Sequence, residues 1–410
     1  MAITFALIKE RKNPPDKRVV LTPKRALKMI ESFPEVNLIV ESSDVRAFSD
    51  EAYASKGIEV TDDVAKADVM LGVKEVPIHA LIPNKKYLFF SHTIKKQPYN
   101  RNLLRAILDK KIELYDHETI VDESRKRLIG FGFYAGIVGA YNGFRGLGLR
   151  KGCFTLPKME DLHDLEEAKK ELDKIKIPPI KIVVTGSLSG KVTQGAKDII
   201  DHLGIKQVTP NEFRKIQDPS EPIYTIIGVE EYNRRKDGEA FDKSHFYAHP
   251  KEYESDFMKY ATVAEMFIAC HFYGEGAPYI YTREDAKHPD FNIKVVADIS
   301  CDIDGPVAST IRPSTIAEPF YGYDPITEQE TGFTDPNAIT VMAVDNLPCE
   351  LPRDASQGFG RMFVENVLPA FLNDDQHSIL ERAQITTSEG TLTERFKYLQ
   401  SYVDASEVQV

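Results

Sequence analysis

The sequence predicts an α/β protein with two domains, and three observations predict it. Residues 2–130 alternate apolar strand-like segments with helix-like segments, which is typical of a parallel sheet with crossover helices. A second apolar strand, at 182–184, runs into a glycine-containing loop and an amphipathic helix. The length of 410 residues suits two domains better than one. We therefore expect two Rossmann-like domains with parallel sheets and an interdomain cleft: a first domain of residues 1–131 plus 346–410, and an inserted domain of residues 132–345.

The composition is that of an ordinary globular protein, with 42% hydrophobic and 28% charged residues. A net charge of −11 argues against nucleic acid or an anionic membrane as partner. Four widely separated cysteines, without a C-x-x-C pair, predict neither a zinc site nor a disulfide framework. No apolar run is long enough for a signal peptide or a membrane span, so we expect a cytoplasmic protein. We also expect small-molecule substrates and no metal site.

The elements of the first domain follow from local patterns. Thr22 followed by Pro23 predicts a helix start, because threonine caps and proline suits the first turn. Apolar runs predict the strands, and amphipathic stretches predict the helices between them. The predicted strands are 3–8, 38–40, 68–73 and 87–90, and further helical stretches lie near 50–56 and 102–110.

A helix predicted over 131–149 carries a stripe of glycines at positions 132, 136, 139, 143 and 146. Such a stripe lets another backbone approach closely, and the polar Asn142 and Arg145 favour a tightly packed structural helix, at an interdomain or subunit contact, over a membrane dimer. A charged helix follows at 158–176 and ends before Pro178. Later strands are predicted at 225–229, 294–299 and 339–344, followed by helices to the end.

The strand, glycine loop and helix at 180–204 predict a dinucleotide site, because free N–H groups at a helix N-terminus bind a pyrophosphate. The predicted contacts are Gly186, Gly190, Lys191 and Val192. The spacing G-x-G-x-x-G is absent, and Thr193 stands where a third glycine would lie. An ordinary strand-to-helix turn is the alternative, and Lys191 either reaches a phosphate or faces water.

Polar side chains follow three strands of the first domain. Lys74 and Glu75, then His92, then Glu118 each come directly after an apolar run. The carboxyl ends of parallel strands meet at one edge of a sheet, so Lys74, His92 and Glu118 are expected to converge there. Taken singly, each has a simpler explanation as a solvated loop or a structural histidine.

Two sets of motifs occur along the chain in order. The first set is Lys9-Glu10 with Arg18 to Pro23, Val73-Lys74-Glu75-x-Pro77, Phe89 to Lys95, and Phe131-Gly132-x2-Ala135-Gly136. The second set is Ala297 to Asp302, Arg312 to Phe320, Asp345-Asn346-Leu347-Pro348, and Ile385 to Leu392. With the first set the chain resembles the alanine dehydrogenase and saccharopine dehydrogenase superfamily, and with the second it resembles the lysine-ketoglutarate reductase branch found in aminoadipic semialdehyde synthase. The resemblance runs nearly end to end.

The resemblance implies a reversible reaction in which L-lysine and 2-oxoglutarate condense to an imine that takes hydride from NAD(P)H, giving saccharopine. It assigns proton transfer to Lys74 and His92, with Glu118 tuning the pair. Arg18 and Arg127 match positions that bind the substrate carboxylates, and Glu75 is assigned to substrate binding with them.

For the cofactor, the resemblance implies that Asn346 and Leu347 lie beside the nicotinamide. Relatives carry an acidic residue where Thr209 ends the second strand, so its absence favours NADP(H) over NAD(H). Two alternatives stay open: another amino-acid dehydrogenase of the alanine or opine type, and a nucleotide-binding regulatory protein without turnover. A homo-oligomer is also left open.

Overall fold

A computed structural model describes residues 2–405. The strands in chain order are β1 Ile3–Leu7, β2 Val36–Glu41, β3 Glu59–Thr61, β4 Val69–Leu71, β5 Lys86–Phe89, β6 Glu113–Asp116, β7 Lys181–Thr185, β8 Lys206–Gln207, β9 Ile223–Ile227, β10 Asn233–Arg235, β11 Tyr253–Ser255, β12 Met266–Ala269, β13 Val295–Asp298, β14 Phe320–Asp324, β15 Gln329–Thr331 and β16 Ile339–Met342. The helices are α1 Pro23–Ser32, α2 Asp50–Ala54, α3 Arg101–Asp109, α4 Gly132–Lys151, α5 Leu165–Leu172, α6 Lys191–His202, α7 Pro210–Lys215, α8 Val229–Tyr232, α9 Lys243–Ala248, α10 Met258–Ala261, α11 Arg283–Lys287, α12 Pro352–Asn366, α13 Leu368–Leu372, α14 Ile379–Ala383 and α15 Gln400–Asp404.

The chain divides into two compact units. Unit 1 comprises Met1–Phe131 and Pro352–Val410, and unit 2 comprises Gly132–Leu351. Each unit has its own hydrophobic core on both faces of its own sheet. The α/β class with a parallel sheet, predicted from the alternation of strands and helices, is confirmed.

The sheet of unit 1 is parallel throughout, in the order β3-β2-β1-β4-β5-β6. Helix α1 begins as predicted, with the Thr22 hydroxyl accepting a hydrogen bond from the Arg25 N–H and Pro23 at the first position. The order places β1 centrally and brings the carboxyl ends of β4, β5 and β6 side by side. The loops that follow these three strands carry the polar residues of interest.

The sheet of unit 2 has the order β15-β14-β16-β13-β12-β7-β9-β8. Its six strands from β16 to β8 are parallel, and β14 and β15 add an antiparallel edge. Strand β9 therefore lies between β7 and β8, although β8 comes first in the chain. The predicted helix at 158–176 is shorter than expected, because a single 3-10 turn at Met159–Asp161 precedes α5.

Helix α4 is a tightly packed helix, as the glycine stripe predicts, but the close backbone contact is with α6 of the same unit and not with another domain or subunit. Its Gly136 lies against the first turns of α6, where an added Cβ would fall 2.8 Å from Ala196 N. On the facing helix, a Cβ on Gly195 would fall 2.9 Å from Ile137 N. The two glycines thus let the backbones of α4 and α6 touch. No helix within residues 2–405 is long and apolar enough to cross a membrane.

Candidate active site

The three loops that follow β4, β5 and β6 carry Lys74, His92 and Glu118 at one edge of the unit 1 sheet. This adjacency is the one expected from the strand ends. A contact between two of the loops joins His92 to the loop after β4.

His92 and Glu75 form the most direct of these contacts. The His92 Nδ1 lies 2.6 Å from Glu75 Oε1. Burial alone would raise the pKa of Glu75, but the hydrogen bond and charge of His92, the backbone and Lys12 outweigh it and lower the pKa to about 2. An ionised carboxylate only accepts hydrogen bonds, so the Nδ1–H of His92 donates to it and the Nε2 stays outside this contact.

The backbone of His92 is held in a left-handed conformation, with φ of 54°. Such a conformation is unfavourable for a residue with a Cβ and persists only where surrounding contacts impose it. Asp116, buried at the end of β6, accepts hydrogen bonds from the N–H and the hydroxyl of Ser91, the residue before His92. Asp116 therefore anchors the loop that presents the imidazole.

Glu75, predicted to bind substrate, is engaged on both oxygens by the protein itself. Lys12 Nζ lies 3.2 Å from Oε2, opposite the oxygen that accepts from His92. The structure thus places Glu75 as the partner of the candidate proton carrier, and its role in substrate binding remains a prediction.

Glu118 lies in a second cluster of charges at the same sheet edge. Its Oε1 is 2.9 Å from Arg127 and 3.3 Å from Lys95, while its Oε2 is buried without a hydrogen-bond partner within the described chain. Burial would raise the pKa of Glu118, but Lys95, Arg127 and His92 together lower it below its usual value. An ionised oxygen without a partner in this cluster can accept a hydrogen bond from a bound amine or hydroxyl.

Lys74 is positioned through its backbone by Glu10. The two oxygens of Glu10 accept hydrogen bonds from the Val73 N–H at 2.6 Å and the Lys74 N–H at 2.9 Å. Burial and the nearby Asp16 raise the pKa of Glu10 to about 8, against the lowering effect of these hydrogen bonds and of Arg18. The carboxyl group thus ties β1 to the loop after β4.

Arg18 is buried, with 3% of its side chain exposed, and makes a two-point contact with Asp16 at 3.0 and 2.6 Å. Its guanidinium also lies 4.2 Å from the centre of the Phe131 ring. Arg127, by contrast, has 55% of its side chain exposed. Of the two predicted carboxylate-binding arginines, Arg127 is therefore the accessible one, and the binding role of both remains a prediction.

The sequence did not predict a role for five titratable residues that lie in these loops or contact them: Glu10, Lys12, Lys95, Asp116 and His117. His117 is fully buried, donates from Nε2 to the Gly72 carbonyl at 2.9 Å, and has its pKa lowered to about 4 by burial. It is a structural histidine that ties the end of β6 to that of β4. The signal for Glu10 was its place beside Lys9 in a quoted motif, and the signal for Asp116 was its place at a strand end.

In unit 2 the loop after β7 has the features of an anion site. Gly186 has φ of 143°, and a side chain there would collide with the Thr193 hydroxyl. Residues 187–189 form an exposed turn closed by the Gly190 N–H donating to the Ser187 carbonyl at 2.8 Å. Gly190 caps α6 without any side chain, so the first-turn N–H groups stay open to a ligand. Lys191 beside them is exposed, and these residues fit a dinucleotide pyrophosphate.

Three further residues, Thr209, Asn346 and Leu347, are predicted to contact the cofactor. Thr209 does not stand beside the phosphate strand, because β9 rather than β8 pairs with β7. Its hydroxyl instead caps α7 in a reciprocal pair with Glu212. The strand order therefore does not support the argument from Thr209 toward NADP(H), and the choice between NADP(H) and NAD(H) remains a prediction. Leu347 is buried against α4, so its side chain belongs to the core of unit 2, and Asn346 opens the 3-10 turn that follows β16.

Comparisons with known proteins extend these observations. Residues 6–138 match the family model "Alanine dehydrogenase/PNT, N-terminal domain". The mitochondrial alpha-aminoadipic semialdehyde synthase of Mus musculus is 29% identical over 98% of this chain and 48% of the synthase. The saccharopine dehydrogenase [NAD(+), L-lysine-forming] of Schizosaccharomyces pombe is 24% identical over 87% of this chain and 90% of that enzyme. The chain spans about half the length of the synthase that it matches.

Among solved structures, an L-alanine dehydrogenase superposes with a TM-score of 0.65 at 16% identity, covering 98% of this chain and all of that one. The transhydrogenase from Sinorhizobium meliloti superposes with a TM-score of 0.59 at 15% identity, covering 95% of this chain and 100% of that chain. These likenesses confirm the expected fold. The chain therefore has the alanine dehydrogenase fold, matches the alanine dehydrogenase/PNT N-terminal domain model over residues 6–138, and resembles aminoadipic semialdehyde synthase and saccharopine dehydrogenase in sequence.

Proposed function

We propose that this protein is an NAD(P)-dependent oxidoreductase acting on the CH–NH group of an amino acid, and that it joins L-lysine to 2-oxoglutarate to give saccharopine in a reversible reaction. The observation that carries the proposal is the His92–Glu75 pair beside Lys74, at the sheet edge that also holds Glu118 and Arg127. The names of the relatives, saccharopine dehydrogenase and aminoadipic semialdehyde synthase, supply the substrate class.

The residues of unit 1 suit the proton transfers of this chemistry. The lysine ε-amine must be neutral to attack the ketone carbon, and the hydroxyl of the addition product needs a proton to leave as water. Because Nδ1 donates to Glu75, proton exchange falls to the Nε2 of His92, which can take the proton of the amine and return it to the hydroxyl. Lys74, on the neighbouring loop, is the second proton carrier. A reduced nicotinamide, when bound, supplies the hydride that reduces the C=N bond.

The charges at the edge suit substrates with carboxylates. Arg127 is exposed and offers a planar fork of N–H groups, which matches a carboxylate in two-point contact. Glu118 balances that charge, and its ionised carboxylate suits a cationic amine. We assign Arg127 to an α-carboxylate and Glu118 to an amine of the bound substrate.

The test follows nicotinamide absorbance with NADH or NADPH and 2-oxoglutarate, with and without L-lysine, and identifies saccharopine by mass spectrometry. Lysine-dependent oxidation with saccharopine as product is the expected result. Oxidation with pyruvate and ammonia but not with lysine would overturn the substrate assignment in favour of an alanine-type enzyme. Nicotinamide binding without oxidation under any of these conditions would instead point to a regulatory protein.

The catalytic assignment has its own test. Lys74→Met and His92→Gln should each lower kcat by about 100-fold or more, since a positioned proton carrier contributes that much. The matched controls are Lys56→Met and His288→Gln, whose side chains are exposed, the second of them in unit 2, and they should leave kcat within about twofold. Turnover within a few-fold of wild type in Lys74→Met and His92→Gln would contradict the assignment.

A further inference from the structure

We propose that Glu230 selects NAD(H) over NADP(H) in this protein, by binding the adenosine ribose hydroxyls and repelling a 2′-phosphate. The inference rests on the proposed function to the extent that unit 2 binds a nicotinamide dinucleotide. It concerns which dinucleotide binds, so it is tested by binding and without substrates.

The order of strands around the phosphate loop places β9 beside β7. In a doubly wound sheet the pyrophosphate lies at the loop after one central strand, and the ribose lies over the end of the strand beside it. Here the loop follows β7, whose neighbours are β12 on one side and β9 on the other. Strand β8, which comes next in the chain after α6, lies at the sheet edge beyond β9. The residues after β9 therefore take the place that chain order alone assigns to the residues after β8.

A direct contact joins this place to the phosphate loop. The Gly186 N–H, the first of the loop, donates to the carbonyl of Ile227, the last residue of β9, at 3.0 Å. Gly228 and Glu230 follow immediately. Glu230 follows this hydrogen bond by three residues, so it stands at the end of β9 that contacts the phosphate loop.

Glu230 is turned back over the end of its own strand. A Cβ on Gly228 would fall 2.6 Å from the Glu230 Oε2, so the carboxylate occupies the space that a side chain at position 228 would need. The residue is exposed, and within residues 2–405 its carboxylate makes no hydrogen bond or ion pair. An ionised carboxylate can accept hydrogen bonds from two neighbouring hydroxyls, which is the arrangement that a ribose diol presents.

The neighbouring acidic residues are already committed. Glu231 accepts a hydrogen bond from the Tyr260 hydroxyl at 2.6 Å and so serves the core of unit 2. Glu212 is engaged by Thr209 at the far edge of the sheet. Glu230 is thus the acidic side chain after β9 that remains open to a ligand.

The basic residues that follow do not provide a ready site for a 2′-phosphate. Arg234 contacts Glu254 at 2.8 Å, Arg235 contacts Asp237 at 3.0 Å, and Lys236 donates to the Lys251 carbonyl at 2.8 Å. A 2′-phosphate near Glu230 would meet a negative charge, and the three basic residues that follow Glu230 in the chain are already paired. Charge therefore favours the 2′-hydroxyl of NAD(H).

The experiment measures the dissociation constants of NADH and NADPH for the full chain by nicotinamide fluorescence, without substrates. For the wild type we expect NADH to bind at least about tenfold more tightly than NADPH, which corresponds to about 1.4 kcal/mol. In Glu230→Gln the NADPH affinity should rise and the NADH affinity should fall, with a change of about tenfold or more in their ratio. Circular dichroism and the melting temperature check that the variant is folded.

Two control variants distinguish a role of Glu230 from a role of Thr209 in selecting the dinucleotide. Glu221→Gln removes an exposed carboxylate just before the amino end of β9, whereas Glu230 follows the carboxyl end. It should leave the ratio of NADH to NADPH affinity unchanged. Thr209→Asp adds the acidic residue that chain order would require, and should also leave the ratio unchanged. A ratio that moves with Thr209→Asp, that is the same in Glu230→Gln and wild type, or that favours NADPH in the wild type would overturn the role of Glu230. Failure of the wild type to bind either dinucleotide would instead overturn the proposed function, and the inference with it.

Discussion

At the scale of single residues, the pairing of His92 with Glu75 is the feature on which the proposed chemistry depends. A carboxylate with a pKa near 2 stays ionised throughout the working range and holds the imidazole in one tautomer. The tautomer is fixed only by the pair, because an imidazole without a partner distributes its proton between both nitrogens.

Replacing the carboxylate by an amide tests the pairing. In Glu75→Gln the amide N–H₂ can donate to Nδ1 and stabilise the tautomer that has its proton on Nε2, so kcat should fall by about 100-fold or more. NADH affinity should not change. The matched control is Lys12→Met, which removes the other contact of Glu75; that pair is partly exposed, so kcat should stay within about threefold. A Glu75→Gln enzyme with wild-type turnover would show that the tautomer does not matter.

A second residue-scale feature is Glu350, a carboxyl group buried in unit 2 with 3% exposure. Its Oε1 accepts a hydrogen bond from the Asn142 side chain at 2.9 Å. Burial, with a smaller contribution from Glu160, raises its pKa to about 8, against the lowering effect of Asn142 and two nearby cations. The folded chain therefore keeps this proton at pH values where the unfolded chain has lost it.

This difference makes stability depend on pH in a definite direction. Below pH 4.5 the group is protonated in both states; between 4.5 and about 8 only the unfolded state ionises, so the free energy of unfolding falls as pH rises, by roughly 1.4 kcal/mol per unit. In Glu350→Gln the amide oxygen still accepts from Asn142 but cannot ionise. We expect the variant to gain stability over wild type between pH 5.5 and 8, measured by urea denaturation with circular dichroism. Parallel pH dependence in both proteins would contradict the buried neutral form.

At the scale of elements, the contact between α4 and α6 positions the phosphate loop. The helices touch through Gly136 and Gly195, so the N-terminus of α6 is held against the first turns of α4. Any side chain at either position requires the helices to separate, and with them the loop that precedes α6.

Gly195→Ala should therefore lower both stability and cofactor affinity. The new Cβ would fall on the Phe133 carbonyl, and overpacking of this kind destabilises by about 1–3 kcal/mol. The melting temperature and NADH affinity would both decrease. Gly132→Ala on α4 is the matched control, since its Cβ would find ordinary contacts at 3.5 Å, and it should behave as wild type. Unchanged melting and binding in Gly195→Ala would mean that the helices have room to part.

At the scale of the whole molecule, the chain forms two units, each with a core drawn from its own residues. Unit 2 is one continuous segment, Gly132–Leu351, whereas unit 1 needs both chain ends. The core residues of unit 2 all lie between 137 and 351, so the segment contains what it needs to fold.

We predict that a fragment of residues 132–351 folds alone and binds NADH within about tenfold of the full chain, because the phosphate loop, α6 and β9 all lie inside it. It should not oxidise NADH, since Lys74 and His92 are outside it. Circular dichroism, a thermal melt and a fluorescence titration measure these properties, with the full chain as reference. A fragment that is unfolded, or that is folded but does not bind NADH when the full chain does, would contradict the prediction.

Local patterns in the sequence were enough to determine the α/β class, the start of α1 at Thr22, the close approach at the glycines of α4, and the placement of Lys74, His92 and Glu118 at neighbouring strand ends. These features depend on the period of a helix or strand and on the conformational limits of glycine and proline, which act over a few residues. The resemblance of the quoted motifs added the expected chemistry.

Only the tertiary structure decided which strand lies beside β7, which carboxylate meets His92, and which acids lie buried. Strand order removed the structural support for the argument from Thr209, since adjacency in a sheet is a contact between segments distant in sequence. Glu75 meets His92 across 17 positions and Glu350 meets Asn142 across 208. Such partners, and the pKa values that follow from them, depend on how the whole chain packs, and no local pattern encodes them.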